Sequence, residues 1–335
     1  MEGINKSRNN VKKIFTLFLM IIYLIIWFIY SNPWFDPPFQ FFLNGIIAGS
    51  IYAFIAIGFT IIYRTVKFFH LAHGVVYAAG AYFAYTFINS LTHQLINSLA
   101  IYIISFFLSI ILCAILGIAI DRFVYYPLRK QNASNLIFLL ASFGVFIFIQ
   151  NLIQLIYGAQ ILTIRRGPVK EGHHFLGAVI TDVQIIILLV SLVSLVSLWV
   201  FIQKTKIGKA MRAVSDDPVG ANVSGINPEK IIMISFAIGS AFAGVAGILI
   251  SFETNIEPTM GFNAILKGVI ASIVGGIGSI PGAVLGGFFL GLAENLGIWK
   301  IQAGWKDAIA FFILIVFLLI KPQGILGSKM EKESL

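Results

Sequence analysis

Charge is scarce in this chain. Only 11% of its 335 residues are Asp, Glu, Lys or Arg, against 59% hydrophobic residues, whereas a water-soluble domain carries roughly 25% charged residues. That shortage excludes a soluble globular fold. The single cysteine, Cys113, excludes an internal disulfide and a thiol-rich metal centre. No G-x-x-x-x-G-K-[ST] stretch occurs, so the lysine and hydroxyl with which a phosphate loop holds nucleotide and magnesium are missing. The glycines of 275–282 share only the flexibility of such a loop. No chain of Asp, Glu and His threads the apolar stretches, which argues against a self-sufficient ion-coupled pump.

Long apolar runs take the place of charge. Stretches without Lys, Arg, Asp or Glu cover residues 14–30, 37–63, 71–120, 131–164, 183–203, 231–252, 268–293 and 308–320. A spanning helix needs about 20 apolar residues, and 71–120 is long enough for two. Backbone groups in lipid must be satisfied within their own segment, and the ~10-residue alternation of a membrane barrel is missing. The prediction is an all-α polytopic membrane protein with about 8–10 transmembrane or re-entrant helices. It comprises an N-terminal tail (1–13), one transmembrane domain (14–320) and a C-terminal tail (321–335). Lys6, Arg8, Lys12 and Lys13 before 14–30 imitate the opening of a secretion signal. The run ends at Ser31-Asn32-Pro33-Trp34 without a small-x-small cleavage site, which predicts a retained first helix.

The net charge of +9 is spread between the spans rather than over one face, so it marks topology and not a nucleic-acid surface. Basic residues in short loops lie on the cytoplasmic side. Both termini, Arg64 with Lys67, Arg122 with Arg129 and Lys130, and the segment 204–230 are therefore expected inside. Residues 31–40, 89–98, 158–182 and 253–263 are expected outside. Arg165, Arg166 and Lys170 break that rule, and an acidic docking partner outside the membrane would explain them; the alternative is a tolerated cluster in a long loop. Parity leaves the basic C-terminus inside only if 264–296 is split at Gly275-Gly276-Ile277-Gly278-Ser279-Ile280-Pro281-Gly282. Glycine and proline at that density interrupt helices, giving two short spans or a re-entrant pair, and interrupted helices often mark a transport path.

Polar groups in spans are costly and point to paths or caps: Asn44, Ser50, Tyr52, Ser142, Gln150 and Asn151, with Lys267 and Glu294 flanking the interruption. His70 and His73 stand at i, i+3 without a third metal ligand nearby, and read as a polar anchor at a cytoplasmic helix end. The pairs Gly45/Gly49, Gly282/Gly286 and Gly287/Gly291, with Ala243, Gly244, Ala246 and Gly247, predict closely packed helices. In 204–230, Ile207, Met211 and Val214 share one side of a short helix. Asp217-Pro218 suits the start of a second, Val219 and Val223 stand at i, i+4, and Gly225 suits its end. Two surface helices fit the docking of a partner; an ordinary amphipathic loop is the alternative.

Within this segment, Lys206-Ile-Gly208-Lys-Ala-Met-Arg212-Ala213, Asp217-Pro218, Ala221 and Gly225-Ile-Asn227 closely resemble the coupling loop of LivH-type permeases, the membrane subunits of branched-chain amino acid ABC importers. Leu43-Asn44-Gly45 through Ala53, Ala72-His73-Gly74 with Gly80-Ala81-Tyr82, and Gly275 through Ala283 with Glu294 resemble three further blocks. The resemblance spans about residues 40–325, in order. It implies an ABC importer permease fold in a bacterial inner membrane, paired with a second, LivM-like permease, two cytoplasmic ATPase subunits that carry the ATP and magnesium, and a periplasmic binding protein. No cofactor, metal or catalytic residue is implied on this chain. Lys206, Gly208, Arg212, Asp217, Pro218, Gly225 and Asn227 would couple to the ATPases. Asn44, Ser50, Tyr52, His73, Gly275, Gly276, Gly278 and Glu294 are the expected translocation path. His70 stands where relatives usually carry Asn, and Val75 where a polar or small residue is frequent. The same machinery handling urea, amides or a sugar is the runner-up reading.

Overall fold

The structure, a computed structural model, describes residues 39–92, 98–164 and 172–327. The expected first helix at 14–30, the N-terminal tail, most of the C-terminal tail, and Arg165, Arg166 and Lys170 lie outside the described residues. The elements in order are α1 (Phe39–Val66), α2 (His73–Thr92), α3 (Ser98–Ile120), a π-helical turn (Asp121–Tyr125), α4 (Tyr126–Lys130) and α5 (Asn135–Tyr157). A small hairpin, β1 (His173–Phe175) and β2 (Ala178–Ile180), precedes α6 (Asp182–Lys204), α7 (Lys206–Asp216) and α8 (Pro218–Val223). The chain continues through α9 (Pro228–Glu253), α10 (Met260–Gly275), α11 (Ile280–Gly297), a short 3-10 turn (Ala303–Trp305) and α12 (Lys306–Ile320).

Seven of the described helices are long and apolar enough to cross a bilayer, with α10 a shorter apolar one. α2 has a spanning length of 20 residues, but its tyrosines and Asn89 dilute its apolarity. It tolerates them because α3, α9 and α10 wall it in, and a helix that meets protein needs no lipid-compatible coat. α1 and α9 form the buried centre, while α3, α5, α6 and α12 turn much of their surface outward. Leu155 is 82% exposed and Leu319 79%, which suits lipid and not water.

Small residues set the central packing. α1 lies on α11 with Gly45 and Gly49 against Gly287 and Gly291; a methyl on Gly49 would strike the Phe288 backbone, and one on Gly291 the Gly49 backbone. Gly58 and Gly239 meet in the same reciprocal way, as do Gly74 and Gly261. The glycine spacing noticed in the sequence is thus packing spacing: apposed backbones gain dispersion contacts where lipid supplies no hydrophobic drive.

Contacts between connections define two faces of the bundle. On one, Arg64 Nε donates to Ser215 Oγ (2.8 Å) and Arg129 Nη2 pairs with Glu229 (2.7 Å); this is the face of the 204–230 segment. On the other, the Gln40 amide clasps Val179, donating to its carbonyl (3.1 Å) and accepting from its N–H (2.7 Å). There, too, Leu162 and Ile256 pair their backbones and Gln184 donates to Glu253 (2.9 Å).

The interrupted segment resolves into an antiparallel pair, α10 and α11. Gly276 (φ +112°) and Gly278 (φ +84°) adopt the left-handed region in the turn, where glycine has no steric penalty. Ser279 Oγ then caps α11 by accepting from Gly282 N, with Pro281 in the first turn. The chain beyond α12 closes the turn: Ile325 N donates to the Val274 carbonyl and Leu326 N to the Gly275 carbonyl, both at 2.8 Å. The turn sits at the face of the 204–230 segment, where Ile280 lines one small cleft with Arg64, Met211 and Arg212.

His70 and His73 depart from expectation. The 67–72 connection folds inward, leaving both side chains fully buried rather than anchored at a wet helix end. His70 Nδ1 shares a hydrogen bond with Tyr125 Oη (2.9 Å), and its ring stands edge-on to Phe236 (5.2 Å). The Ala72 N–H donates to Ser142 Oγ (3.0 Å), so the connection is held by α5 as well.

Candidate functional site

A charged network crosses four helices inside the bundle. Lys267 is the only charged residue between Glu257 and Glu294, and it lies in the middle of α10 with its side chain 10% exposed. An unpaired cation at a helix centre costs about 2.5–3.5 kcal/mol on insertion scales, so a partner is required. Glu294 of α11, whose side chain is wholly buried, supplies it through a hydrogen-bonded ion pair with Lys267 Nζ. The same Nζ pairs with Asp307 at the start of α12 (2.8 Å). The second oxygen of Glu294 accepts from Tyr52 Oη of α1 (2.8 Å), and Lys306 Nζ donates to Asn295 Oδ1 (3.0 Å). Both carboxylate oxygens of the buried acid are satisfied, which is the condition for keeping a charge out of water. Asp307 is 64% exposed, so the network has an open end.

The second centre is the 204–230 segment. α7 buries Gly208, Met211, Val214 and Ser215, while Ile207, expected beside Met211 and Val214, is exposed. Gly208 is inward because a side chain there would collide with the Ile202 backbone; it permits the tight bend from α6. Arg212 also points inward, donating from Nη1 to Ile202 O and Gln203 Oε1, both at 2.9 Å. Asp217 caps α8 by accepting from Val219 N (2.9 Å), with Pro218 at the first position. Gly225 has φ +82° just past the helix end, and Asn227 caps α9 by accepting from Lys230 N (3.1 Å). The outward residues include Lys206, Lys209, Asp217, Pro218 and an apolar pair, Val219 (73% exposed) and Val223 (85%). The segment is fastened to α1 by Arg64, whose Nε bonds Ser215 and whose Nη2 lies 3.5 Å from Asp216. A small cleft lined by Ile61, Arg64, Thr65, Met211, Arg212 and Ile280 adjoins this contact.

The profile of the family described as "Branched-chain amino acid transport system / permease component" matches residues 41–318. This chain belongs to that family. It is 39% identical over 294 residues to the high-affinity branched-chain amino acid transport system permease protein BraD of Pseudomonas aeruginosa, covering 86% of this chain and 95% of that one. It is 37% identical over 302 residues to the corresponding protein LivH of Escherichia coli, covering 87% and 97%. A probable branched-chain amino acid transport permease protein LivH of Methanocaldococcus jannaschii is 29% identical over 307 residues, covering 86% and 92%.

In this permease the residues expected on a path do not share one place. Tyr52 and Glu294 meet directly. Asn44 sits a turn from the opposite face and accepts from Gln40 Nε2 (3.0 Å), and Ser50 closes on its own helix, donating to the Ile46 carbonyl (2.9 Å). His73 is buried beside Gly58. Gly275, Gly276 and Gly278 belong to the α10–α11 turn, where the first two meet residues 323–327. The roles of Asp307, Lys306 and Asn295, and the tie of Arg64 to α7, are not legible in residue order, where Arg64 marks topology alone. A lone lysine in an otherwise uncharged run was the available signal, because a buried cation calls for acids and Asp307 is the next one along the chain after Glu294.

Proposed function

We propose that this chain is the membrane-spanning permease subunit of an ATP-driven importer for branched-chain amino acids, lodged in the inner membrane. The face of residues 204–230 is then cytoplasmic and the face of the β1–β2 hairpin external. The partners are a second, LivM-like permease, two ATPase subunits that hold the ATP and magnesium, and a soluble binding protein that delivers the amino acid. The observation that carries the reading, beyond family membership, is mechanical: α1 touches the 204–230 segment at Arg64 and the charged network at Tyr52.

Those two residues are 12 apart, about 18 Å along a helix, and α1 runs unbroken between them. The exposed valines of α8 give the ATPases an apolar hold, with Lys206, Asp217 and Pro218 around them. Gly208, Arg212, Gly225 and Asn227 hold the two short helices in shape. When the ATPases close, a displacement of α7 is transmitted through Arg64 to α1 and so to the helices around Glu294. Tyr52, Glu294 and Lys267 then border the moving part of the path, with Asn44 and Ser50 on the same helix, His73 behind it and the 275–278 turn at its cytoplasmic end. Arg165, Arg166 and Lys170 would meet acidic side chains of the binding protein outside.

The test is reconstitution of the full complex in vesicles with a leucine-loaded binding protein outside and ATP inside. Leucine uptake that stops without ATP is expected. Uptake by the permease alone in an ion gradient would overturn the ATP-driven reading, and equal ATPase stimulation by urea- or amide-loaded binding proteins would overturn the choice of cargo.

A further inference from the structure

The end of the α3–α4 span carries a basic cluster that the transport reading does not use. Arg122 and Lys130 flank the ring of Tyr126 at i−4 and i+4, with the guanidinium carbon 4.4 Å and the ammonium 4.8 Å from its centroid. Attraction of cations to a ring face fixes their positions. Among the described residues neither cation forms an ion pair. Asp121, the acid beside them, is turned inward, with its side chain 4% exposed and held by Arg129 Nη1 at 2.7 Å. Two exposed positive charges are therefore pre-positioned around one ring, and the nearest carboxylate, Asp121, is buried and engaged by Arg129.

Their setting is a membrane interface. Phe107, Ile111, Ile115 and Phe123 stand at multiples of four along the same span, all more than half exposed, with Phe123 at 80%. This apolar stripe runs up to the cluster and ends there, as a lipid's chains end at its head group. The π-helical turn Asp121–Tyr125 inserts extra backbone at this point, so that Asp121 and Tyr125 are buried while Arg122 and Phe123 remain outside. Inserted turns of this kind are frequent at functional sites. A guanidinium offers paired donors to phosphate oxygens and an ammonium a compact charge.

We propose that Arg122, Tyr126 and Lys130 form a binding site for the phosphate head group of an anionic phospholipid whose acyl chains lie along Phe123 and Ile115. Such a site ties the outer helix of the bundle to the interface and makes the assembled importer respond to lipid charge.

The experiment uses the assembled complex in neutral detergent, titrated with phosphatidylglycerol or phosphatidylcholine, with thermal unfolding and native mass spectrometry as readouts. Phosphatidylglycerol is expected to remain bound and raise the midpoint, and phosphatidylcholine to do neither. Arg122→Gln with Lys130→Gln is expected to raise the half-saturating phosphatidylglycerol concentration roughly tenfold or more and leave the lipid-free midpoint unchanged. Should that variant not assemble, Tyr126→Leu decides: it keeps both charges but not their placement, and a several-fold weaker response is expected. The exchanged pair Arg122→Lys with Lys130→Arg is expected to retain binding. An equal response to both lipids, or undiminished phosphatidylglycerol binding in Tyr126→Leu, would overturn the site. Loss of ATPase subunits from the glutamine variant with lipid binding intact would assign the cluster to a protein partner instead.

Discussion

Lys267 shows how a single residue organises its surroundings. It sits at mid-helix in α10 between one fully buried carboxylate and one largely exposed carboxylate, and Glu294 in turn holds Tyr52. Removing one member of a buried pair strands the other, at about 3–5 kcal/mol, whereas replacing both by apolar groups is often neutral. Lys267→Met is therefore expected to lower the yield of folded permease, and Lys267→Met with Glu294→Leu to restore it. Measuring leucine uptake in the restored double variant separates structure from transport: low uptake with normal yield places the network in the path. A milder change, Tyr52→Phe, removes one hydrogen bond to a charged group, about 1.5–3 kcal/mol. It is expected to reduce uptake while ATP hydrolysis continues, and unchanged uptake would remove Tyr52 from the mechanism. Gly291→Leu belongs to the same scale. Its side chain would enter the Gly49 backbone, overpacking costs at least ~1–3 kcal/mol, and loss of folded protein on size-exclusion chromatography is expected.

Among the elements, α7 and α8 divide the labour within 204–230. α7 buries one side against the bundle and α8 leaves Val219 and Val223 outward. Val219→Asp with Val223→Asp is expected to abolish co-purification of the ATPases without changing the permease's own abundance, since neither side chain packs within the chain. Intact co-purification would move the docking surface elsewhere. Arg64→Ala, by contrast, leaves that surface untouched and cuts the tie between α7 and α1. Its expected signature is bound ATPases that hydrolyse ATP while uptake falls severalfold. The α10–α11 pair illustrates the other kind of element, one whose turn is closed by distant backbone at Ile325 and Leu326. A tail truncated before residue 324 would leave the Val274 and Gly275 carbonyls without those donors, and is expected to weaken the pair.

At the scale of the whole molecule, the proposed meeting of Arg165, Arg166 and Lys170 with acidic side chains of the binding protein predicts a charge-driven encounter. Docking that weakens as salt rises is the expected outcome, because exposed ion pairs are screened within about 8 Å at physiological ionic strength; salt-independent docking would count against it. Much of the architecture was legible in residue order alone. Apolar run lengths announced the spans among the described residues, because lipid tolerates only helices that satisfy their own backbone. Parity required the break at 275–282, and Asp217, Pro218 and Gly225 announced their own caps and turn, because those preferences act within a few residues. The glycine pairs were legible as close-packing faces but not as to which helix they would meet. Other features depended on contacts between distant segments. His70 and His73 are buried because the 67–72 connection folds under Tyr125 and Ser142, which a local reading of a helix end does not contain. Gly208 and Arg212 turn toward their own preceding helix for the same reason. Lys267 found its second acid forty residues along, at Asp307. The sequence by itself determined the spans, their breaks and their caps, since these follow from local chemistry in a fixed solvent. Only the tertiary structure decided which charges meet inside the bundle, because a buried ion pair depends on which helices are neighbours, and order along the chain does not specify that.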